Sequence, residues 1–516
     1  MCFTIPVDGQ PATTLSLPPH MVSRDDVVIA CGSVQPQIAI IGSGFAGLLL
    51  GIKLKQAGIE SFTIYEKADR LGGTWRDNVY PGAACDVPAH LYSYSFEPKA
   101  DWTKKYAEQH EILGYLEHCA VKYGLLPHLR FGVEIAEAKF DQTTASWQLH
   151  STTGEPFEAR ILISACGQLN RPAYPDIPSL QRFSGLTFHS ARWPKDVALS
   201  DRRIAVIGTG ASAIQFVPRV AAQAKSVTVF QRSPPWIVPK PDRSYGHREQ
   251  TLYKWIPAVQ SLLRSSLFAS LDLGFFGLRS GSTIHRVAQS LCEKYLRQSV
   301  PDEKLRKVLT PNYPAGCKRI LISNDYYQTL IKPHVSVVTE PIVSAQPEGL
   351  LTQDGVLHSV DVIIYGTGFR ASEFLAPMRI IGRDGRDLSE VFSGGAAAYL
   401  GITVPCFPNF FLLYGPNTNL GHNSILYMLE AQAHYILSAV KVLCDGKAHY
   451  LEVKPEPMLL FRQELKRRFH GTVWEANCTS WYKTATGEQT NNWPGLAFSY
   501  RLRTRRLHLA DYDTGR

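Results

Sequence analysis

Among ten cysteines no two stand at C-x-x-C spacing, and no cluster of His, Cys, Asp or Glu has metal-ligand spacing. The first absence excludes, by spacing, a dithiol reductase that hands electrons onward through two close thiols. The scattered thiols predict a reduced, cytoplasmic compartment. The first 35 residues lack the basic start and apolar core of a secretory signal, and 1–36 reads as a disordered extension. No long apolar run is uninterrupted. The nearest, Trp255 to Leu278, carries Arg264 and Asp272, too short and too charged to span a bilayer. It reads as a core or surface helix pair, with a membrane-leaning substrate entrance as the lesser reading. Clustered charge is scarce too. The net charge of +9 is spread over 516 residues, compatible with an anionic cofactor but without the patch a nucleic acid needs. Arg501, Arg503, Arg505 and Arg506 come nearest to a cluster, and read as a solvated terminal strand or fraying end.

What is present is a globular composition, 45% hydrophobic and 19% charged, long enough for two to four domains. Ile38 to Ile41 reads as a buried parallel strand. Gly42, Gly44 and Gly47 follow at G-x-G-x-x-G spacing, with Phe45 and Ala46 between them. The first glycine permits a tight turn, the second lets backbone approach a pyrophosphate, and the third lets helix pack on strand. A helix over about 46–56 closes at Gly58, and a second strand, Phe62 to Tyr65, delivers Glu66, an acid placed to accept hydrogen bonds from ribose hydroxyls. Strand, helix, second strand and acid in register predict a dinucleotide site. Val133 to Phe140 and Ser146 to His150 alternate like a hairpin, Ile161 to Ala165 is a short apolar strand, and the proline-rich stretch 172–178 marks a boundary.

A second unit follows. Ile204 to Ile207 is a strand, and Gly208, Gly210 and Ala213 give G-x-G-x-x-A; Val227 to Phe230 is the next strand. Where the first unit has Glu66, the second has Gln231 followed by Arg232. Loss of the acid removes repulsion, and a guanidinium can clamp a 2′-phosphate in bidentate fashion. The first unit is therefore suited to a 2′-hydroxyl and the second to NADPH. A mainly helical stretch, 241–310, reads as an insertion. Val360 to Tyr365 with Gly366-Thr367-Gly368 hands the chain back, and a helix around 425–442 shows a core stripe. The predicted fold is α/β, with two Rossmann-like dinucleotide-binding domains. The first takes 37–173 and 370–516, the second 174–240 and 310–369, and the helical insertion 241–309.

The residues between the two units carry a resemblance. Gly72-Gly73-Thr74-Trp75, Tyr80-Pro81-Gly82 and Asp86 resemble the long fingerprint of type I Baeyer–Villiger monooxygenases. Phe183, Gly185, His189 and Trp193-Pro194 match that family's F-x-G-x-x-x-H-x-x-x-W-P signature. The resemblance implies an FAD- and NADPH-dependent enzyme that uses O2 to insert oxygen beside a ketone carbonyl. The product is an ester or lactone, formed by way of a flavin C4a-peroxide. It implies FAD contacts from Gly42, Gly44, Phe45, Ala46, Gly47 and Glu66. Along the flavin it implies Thr74, Trp75, Asp86 and Tyr92, with Arg76, Asp77, Ala84, Cys85 and Ile135 as further cofactor-binding residues. It implies NADPH contacts from Gly208, Thr209, Gly210, Ala211, Ser212, Ala213, Arg232, Ser233 and Lys318, with Trp481 on a mobile loop. Arg319 is implied to stabilise the peroxide anion, with Asp86 orienting it. After Trp481 the chain departs from the family's usual A-N-I-P-G-K loop, carrying Lys483 to Gly487 and Trp493-Pro494-Gly495 instead.

His189 invites a general-base role, and its place between the units suggests a hinge or interdomain hydrogen bond. A heteroatom-oxygenating enzyme, an NADPH oxidase and a catalytically idle cofactor-binding scaffold are the alternatives. Monomer or homodimer, no nucleic-acid partner, no transmembrane segment and at most a weak membrane association complete the expectation.

Overall fold

The computed structural model describes residues 37–478, 480–484 and 486–515. The expected N-terminal extension lies outside them. Two five-stranded parallel sheets organise these residues. The first runs Phe410–Leu412, Ile161–Ser164, Ile38–Ile41, Phe62–Glu66 and Leu129–Phe131 in spatial order. The second runs Val335–Val338, Ser226–Phe230, Arg203–Ile207, Val362–Tyr365 and Leu186–His189. The central strands are apolar without alternation and buried along their whole length, as for Ile38–Ile41 and Val362–Tyr365. Strands covered on both faces have no solvent side to mark with polar residues.

Helix Phe45–Gln56 backs the first sheet and buries nine of its twelve residues, so it has almost no polar face. Helix Ile425–Cys444, two residues longer than the stripe suggested, packs into the same core through Leu426, Leu429, Ala433, Ile436 and Val440. Strand Phe410–Leu412 pairs in parallel with Ile161–Ser164, which returns the C-terminal part of the chain to the first sheet. The hairpin forms as Ile135–Asp141 against Ser146–Ser151. The insertion is helical, with His247–Trp255, Pro257–Leu273, Thr283–Ser299 and Glu303–Val308. The apolar window is helix Pro257–Leu273 followed by the 3-10 turn Gly274–Leu278, and Pro257 at its first position, with no N–H to continue a ladder, separates it from His247–Trp255. Among the described residues no helix is long and apolar enough to cross a membrane.

Two expectations need correction. The arginine-rich tail is neither strand nor frayed: Ala497–Thr504 is a helix with Ala497, Tyr500 and Thr504 buried. Burial of Tyr500, whose hydroxyl donates to the Leu400 carbonyl at 2.6 Å, outweighs the local charge. The thiols are not all free either. Cys317 and Cys478 form a disulfide across 161 residues, with Cα atoms 6.6 Å apart. Local spacing carries no signal for a bridge that only the tertiary fold can close.

Candidate active site

Each sheet ends at a glycine turn built the same way. Gly42 has φ +107°, and a Cβ there would sit 2.7 Å from the carbonyl oxygen of Ala165, at the exit of the neighbouring strand. Gly208 has φ +106°, and its Cβ would meet the Gly366 oxygen at 2.4 Å, again where the adjoining strand ends. A Cβ on Gly47 would lie 1.9 Å from the Gly42 oxygen, so helix and turn touch backbone to backbone. By contrast, a Cβ on Gly44 or Gly210 would meet only one atom, at 3.8 and 4.0 Å. These second glycines are therefore uncrowded, each in no more than ordinary contact with one atom. Neither following helix carries an acid in its first turn, leaving the N-terminal amides to a phosphate.

Glu66 is buried at the end of the second strand. Its Oε2 accepts from the Ser43 amide at 3.1 Å and hydroxyl at 2.7 Å, and its Oε1 from the Ala68 amide at 3.0 Å. Arg76 pairs with Oε1 at 3.0 Å and forks onto Asp77 at 2.8 and 3.1 Å. The short helix Thr74–Asp77 is thereby pinned to the acid. Trp75 Nε1 donates to the Tyr92 hydroxyl at 3.2 Å, and the Phe45 ring packs edge-on against Tyr92. Ile135 is a core residue of the hairpin beside Tyr65. Ala84 is held from the other unit, since Gln215 donates to its carbonyl at 3.1 Å and accepts from its amide at 3.3 Å and from Tyr80 at 3.0 Å. Gln215 was not among the expected residues. On helix Ala213–Ala221 it reads as one more polar position, and only the fold aims it across to the first unit.

In the second unit Gln231 turns inward and donates to the Val308 carbonyl at 3.0 Å, leaving the next residue, Arg232, exposed at the turn. The Thr209 hydroxyl donates to the Ser233 carbonyl at 3.0 Å. Lys318 Nζ donates to the Ser233 hydroxyl at 2.6 Å and lies 4.6 Å from the Tyr313 ring centroid. Burial lowers the Lys318 ammonium from its ordinary value, and repulsion from Arg232 lowers it further. Among the described residues neither cation has a carboxylate partner. Two neighbouring cations that destabilise each other are a receptor for an anion, and the fit to a 2′-phosphate rests on that. Ala211 and Ser212 complete the turn into the helix.

Arg319, next to Lys318, reaches the first unit. Its Nε donates to Asp86 Oδ2 at 2.6 Å and its Nη1 to the Leu420 carbonyl at 3.5 Å. Asp86 raises the Arg319 guanidinium above its ordinary value, outweighing burial. Burial pushes the Asp86 carboxyl up, and the charge and hydrogen bond of Arg319 overcome this and hold it below the usual range. Both therefore stay ionised. Tyr482 is buried against Arg319, with its hydroxyl turned to the guanidinium. Tyr414, with φ +64°, stands on the same site and donates to Asn419 at 2.7 Å. Neither tyrosine was expected, and adjacency to Trp481 was the only available signal for Tyr482.

Trp481 packs at 4.5 Å between ring centroids against Tyr482, and its carbonyl accepts from Asn491 at 2.7 Å. Asn419 donates to Asn492 at 2.6 Å and Asn417 to the Gln489 carbonyl at 2.8 Å, fastening this loop to the one after Gly415. These contacts and the Cys317–Cys478 bond take the place of the family's usual loop sequence. His189 Nδ1 accepts from the Ala191 amide of its own turn at 3.1 Å, and the ring meets the Gly368 backbone in the turn that hands the chain back to the first unit. Its ring packs against Tyr174 and Phe369, and burial pushes its pKa down to about 4. Phe183 and Trp193 are packing residues.

Two glycine turns with open anion cradles, joined by a fixed cation that crosses from one unit to the other, define a protein that works with two dinucleotides at once. Residues 39–254 match the pyridine nucleotide-disulphide oxidoreductase family model; the disulfide lies outside that span. The chain is 41% identical over 478 residues to a Baeyer–Villiger monooxygenase of Pseudomonas aeruginosa, covering 92% of this chain and 91% of that one. It is 40% identical to one of Streptomyces coelicolor, covering 92% of each. Among solved structures, OTEMO in complex with FAD and NADP superposes with a TM-score of 0.84 at 27% identity, over 93% of this chain and all of that one. Cyclohexanone monooxygenase from Rhodococcus sp. Phi1 bound to NADP+ gives 0.83 at 26%, over 93% and 99%. The chain belongs to the Baeyer–Villiger monooxygenase family.

Proposed function

We propose that this enzyme inserts one atom of O2 beside the carbonyl of a small-molecule ketone, with Arg319 and Asp86 as its catalytic residues. When bound, FAD and NADPH supply the reducing equivalents and the activation of O2. The balance is ketone, O2, NADPH and a proton to ester or lactone, NADP+ and water. Supporting the cofactor assignment, Gly42, Gly44, Phe45, Ala46 and Gly47 form the cradle for FAD, with Glu66 fixed by Ser43 and Arg76. Thr74 to Asp77, Ala84 to Asp86 and Tyr92 lie along the same side. Ile135 backs the cradle from the hairpin core. Gly208 to Ala213 form the cradle for NADPH, and Arg232, Ser233 and Lys318 hold its 2′-phosphate. Trp481 covers the nicotinamide end. The corresponding domains are 37–173 with 370–516 for FAD and 174–240 with 310–369 for NADPH, with 241–309 inserted. Sheet membership of the returning strands Phe410–Leu412 and Val362–Tyr365 supports that division.

The observation that carries the reading is the Arg319–Asp86 pair at 2.6 Å, placed by the disulfide-anchored segment that also presents Lys318. Oxygen delivered to a carbonyl carbon carries negative charge as it attacks. A guanidinium that cannot give up its proton stabilises that charge without quenching it. Asp86 fixes the direction of Arg319, and its own charge is answered by Arg319. Tyr414, Tyr482 and Cys85 pack beside the pair and limit the water that would compete. A protonated reagent aimed at nitrogen or sulfur has no use for a cation held this way. We infer a cytoplasmic enzyme, drawing on the NADPH supplied there, that acts as a monomer or homodimer. The test is mass-spectrometric product analysis after turnover of a ketone panel with 18O2. One labelled oxygen in an ester or lactone is the expected result; labelled sulfoxide or N-oxide from competing substrates, with no ester, would overturn it.

A further inference from the structure

The helical insertion is built inside out. Helix Pro257–Leu273 packs Leu263, Leu267 and Leu271 against the large core. Yet its two charged side chains, Arg264 and Asp272, also point inward. Arg264 donates to the His90 and Leu91 carbonyls at 2.8 and 3.3 Å. Asp272 accepts from the Ala497 and Phe498 amides at 2.7 and 3.3 Å. The exposed face is left with Ala258, Ser261, Leu262, Ala269, Leu273 and further serines, and no charge at all. Ser265, Ser266 and Ser270 turn their hydroxyls back onto the carbonyls of Ser261, Leu263 and Leu267 at 2.8–2.9 Å. Bonded back in this way, these serines present no free hydroxyl hydrogen, which is compatible with a medium poor in water.

Exposed large apolar side chains continue along the insertion beyond that face. Trp255 is 78% exposed, Leu262 72% and Leu273 60%. Phe276 follows in the next turn, and Ile284, Val287 and Leu291 form an exposed stripe on helix Thr283–Ser299. The Asp272 contacts set the start of helix Ala497–Thr504 at the end of this face, adding exposed Phe498 and Leu502. From Gln250 to Cys292 the only acid is the inward Asp272, whereas Lys254, Arg279 and Arg286 are exposed. Arg501, Arg505 and Arg506 are exposed as well, and no carboxylate pairs with any of these three among the described residues.

We propose that this face docks on the surface of an anionic lipid bilayer. Aromatic and aliphatic side chains enter the headgroup boundary while the exposed cations meet lipid phosphates and carboxylates. A second copy of the chain is the poorer partner. A two-fold contact sets the same patch against itself, so Lys254, Arg279 and Arg286 would face cations with no acid to answer them. The inner side of the helix holds the Leu420–Asn423 loop, with Asn423 donating to Asp272 at 3.3 Å. Docking therefore sets lipid one helix away from the loop that meets Arg319, although the binding itself does not depend on the reaction.

The experiment is cosedimentation of the FAD-loaded enzyme with sucrose-loaded vesicles of phosphatidylcholine alone or mixed with phosphatidylglycerol, at low and high salt. Binding to the mixed vesicles is expected, weakened by salt. Arg286→Gln and Arg279→Gln are each expected to weaken it about fivefold, and the pair Leu262→Asp and Val287→Asp to abolish it with the thermal midpoint unchanged. Three results would overturn the proposal. These are failure of the wild type to sediment with phosphatidylglycerol vesicles, binding indifferent to all these substitutions, and a concentration-dependent dimer in analytical ultracentrifugation that Leu262→Asp abolishes.

Discussion

Arg319 donates to Asp86 over 2.6 Å across 233 residues of sequence, and in doing so ties the second dinucleotide unit to the first. Neither partner could be left alone in this setting: an unpaired carboxylate would repel the charge being delivered, and an unheld guanidinium would lose its direction. Asp86→Ala is expected to keep FAD bound, to lower the ester-forming kcat by about a hundredfold, and to raise hydrogen peroxide release per NADPH. Each side chain keeps about a quarter of its surface in solvent. The loss of folding stability is therefore about 1–2 kcal/mol, less than for a fully buried pair. Ester yield per NADPH, assayed beside peroxide, checks this; unchanged coupling would assign Asp86 a packing role only.

Arg232 and Lys318 are proposed to hold one anion, the 2′-phosphate of NADPH. Removing either should cost a charge-assisted contact to the 2′-phosphate, raising the KM for NADPH roughly 10- to 100-fold while leaving that for NADH nearly unchanged. Steady-state kinetics of Arg232→Ala and Lys318→Ala with both coenzymes checks this. Equal effects on the two coenzymes would remove the 2′-phosphate from the account.

These two sites were legible in the sequence to different degrees. Glycine spacing and the exchange of Glu66 for Gln231-Arg232 are local patterns, so both glycine turns and an expected coenzyme preference could be drawn from them directly. Asp86, Lys318 and Arg319 came through resemblance, because no periodicity joins positions 233 residues apart. Gln215, Tyr414 and Tyr482 were missed for the same reason: each is an ordinary residue type on its own element, and becomes part of the site only when the units pack. The arginine-rich tail shows the converse, where local charge misled and one buried tyrosine, Tyr500, decided the helix.

The Cys317–Cys478 bond closes a loop of 161 residues and joins the segment carrying Lys318 and Arg319 to the loop carrying Trp481. Chain entropy alone bounds its contribution at about 5 kcal/mol. Peptide mapping of unreduced protein should recover the linked peptides. Cys478→Ser should lower the thermal midpoint and raise the KM for NADPH, through a loosened Trp481 loop. A variant with unchanged midpoint and KM would show that the bridge does not hold the loop.

Burial pushes His90 and His189 down to about 4, from an ordinary value of 6.5. Below 6.5 the unfolded chain takes up protons that the folded chain refuses until about 4. The stability these groups contribute is thus complete above 6.5 and is lost as pH falls toward 4, by up to about 1.4 kcal/mol per pH unit for each. Urea unfolding midpoints should fall over that window, and His189→Gln should make the fall shallower. A midpoint flat across the window would contradict buried neutral imidazoles.

The most direct test of the central claim is the ester formed per NADPH oxidised by Arg319→Ala, loaded with FAD and given O2 and a ketone that the wild type converts. The account predicts retained flavin, continued NADPH oxidation and hydrogen peroxide in place of ester. Ester formed at the wild-type ratio would contradict it, because oxygen would then reach the carbonyl carbon without the cation that Asp86 holds in place.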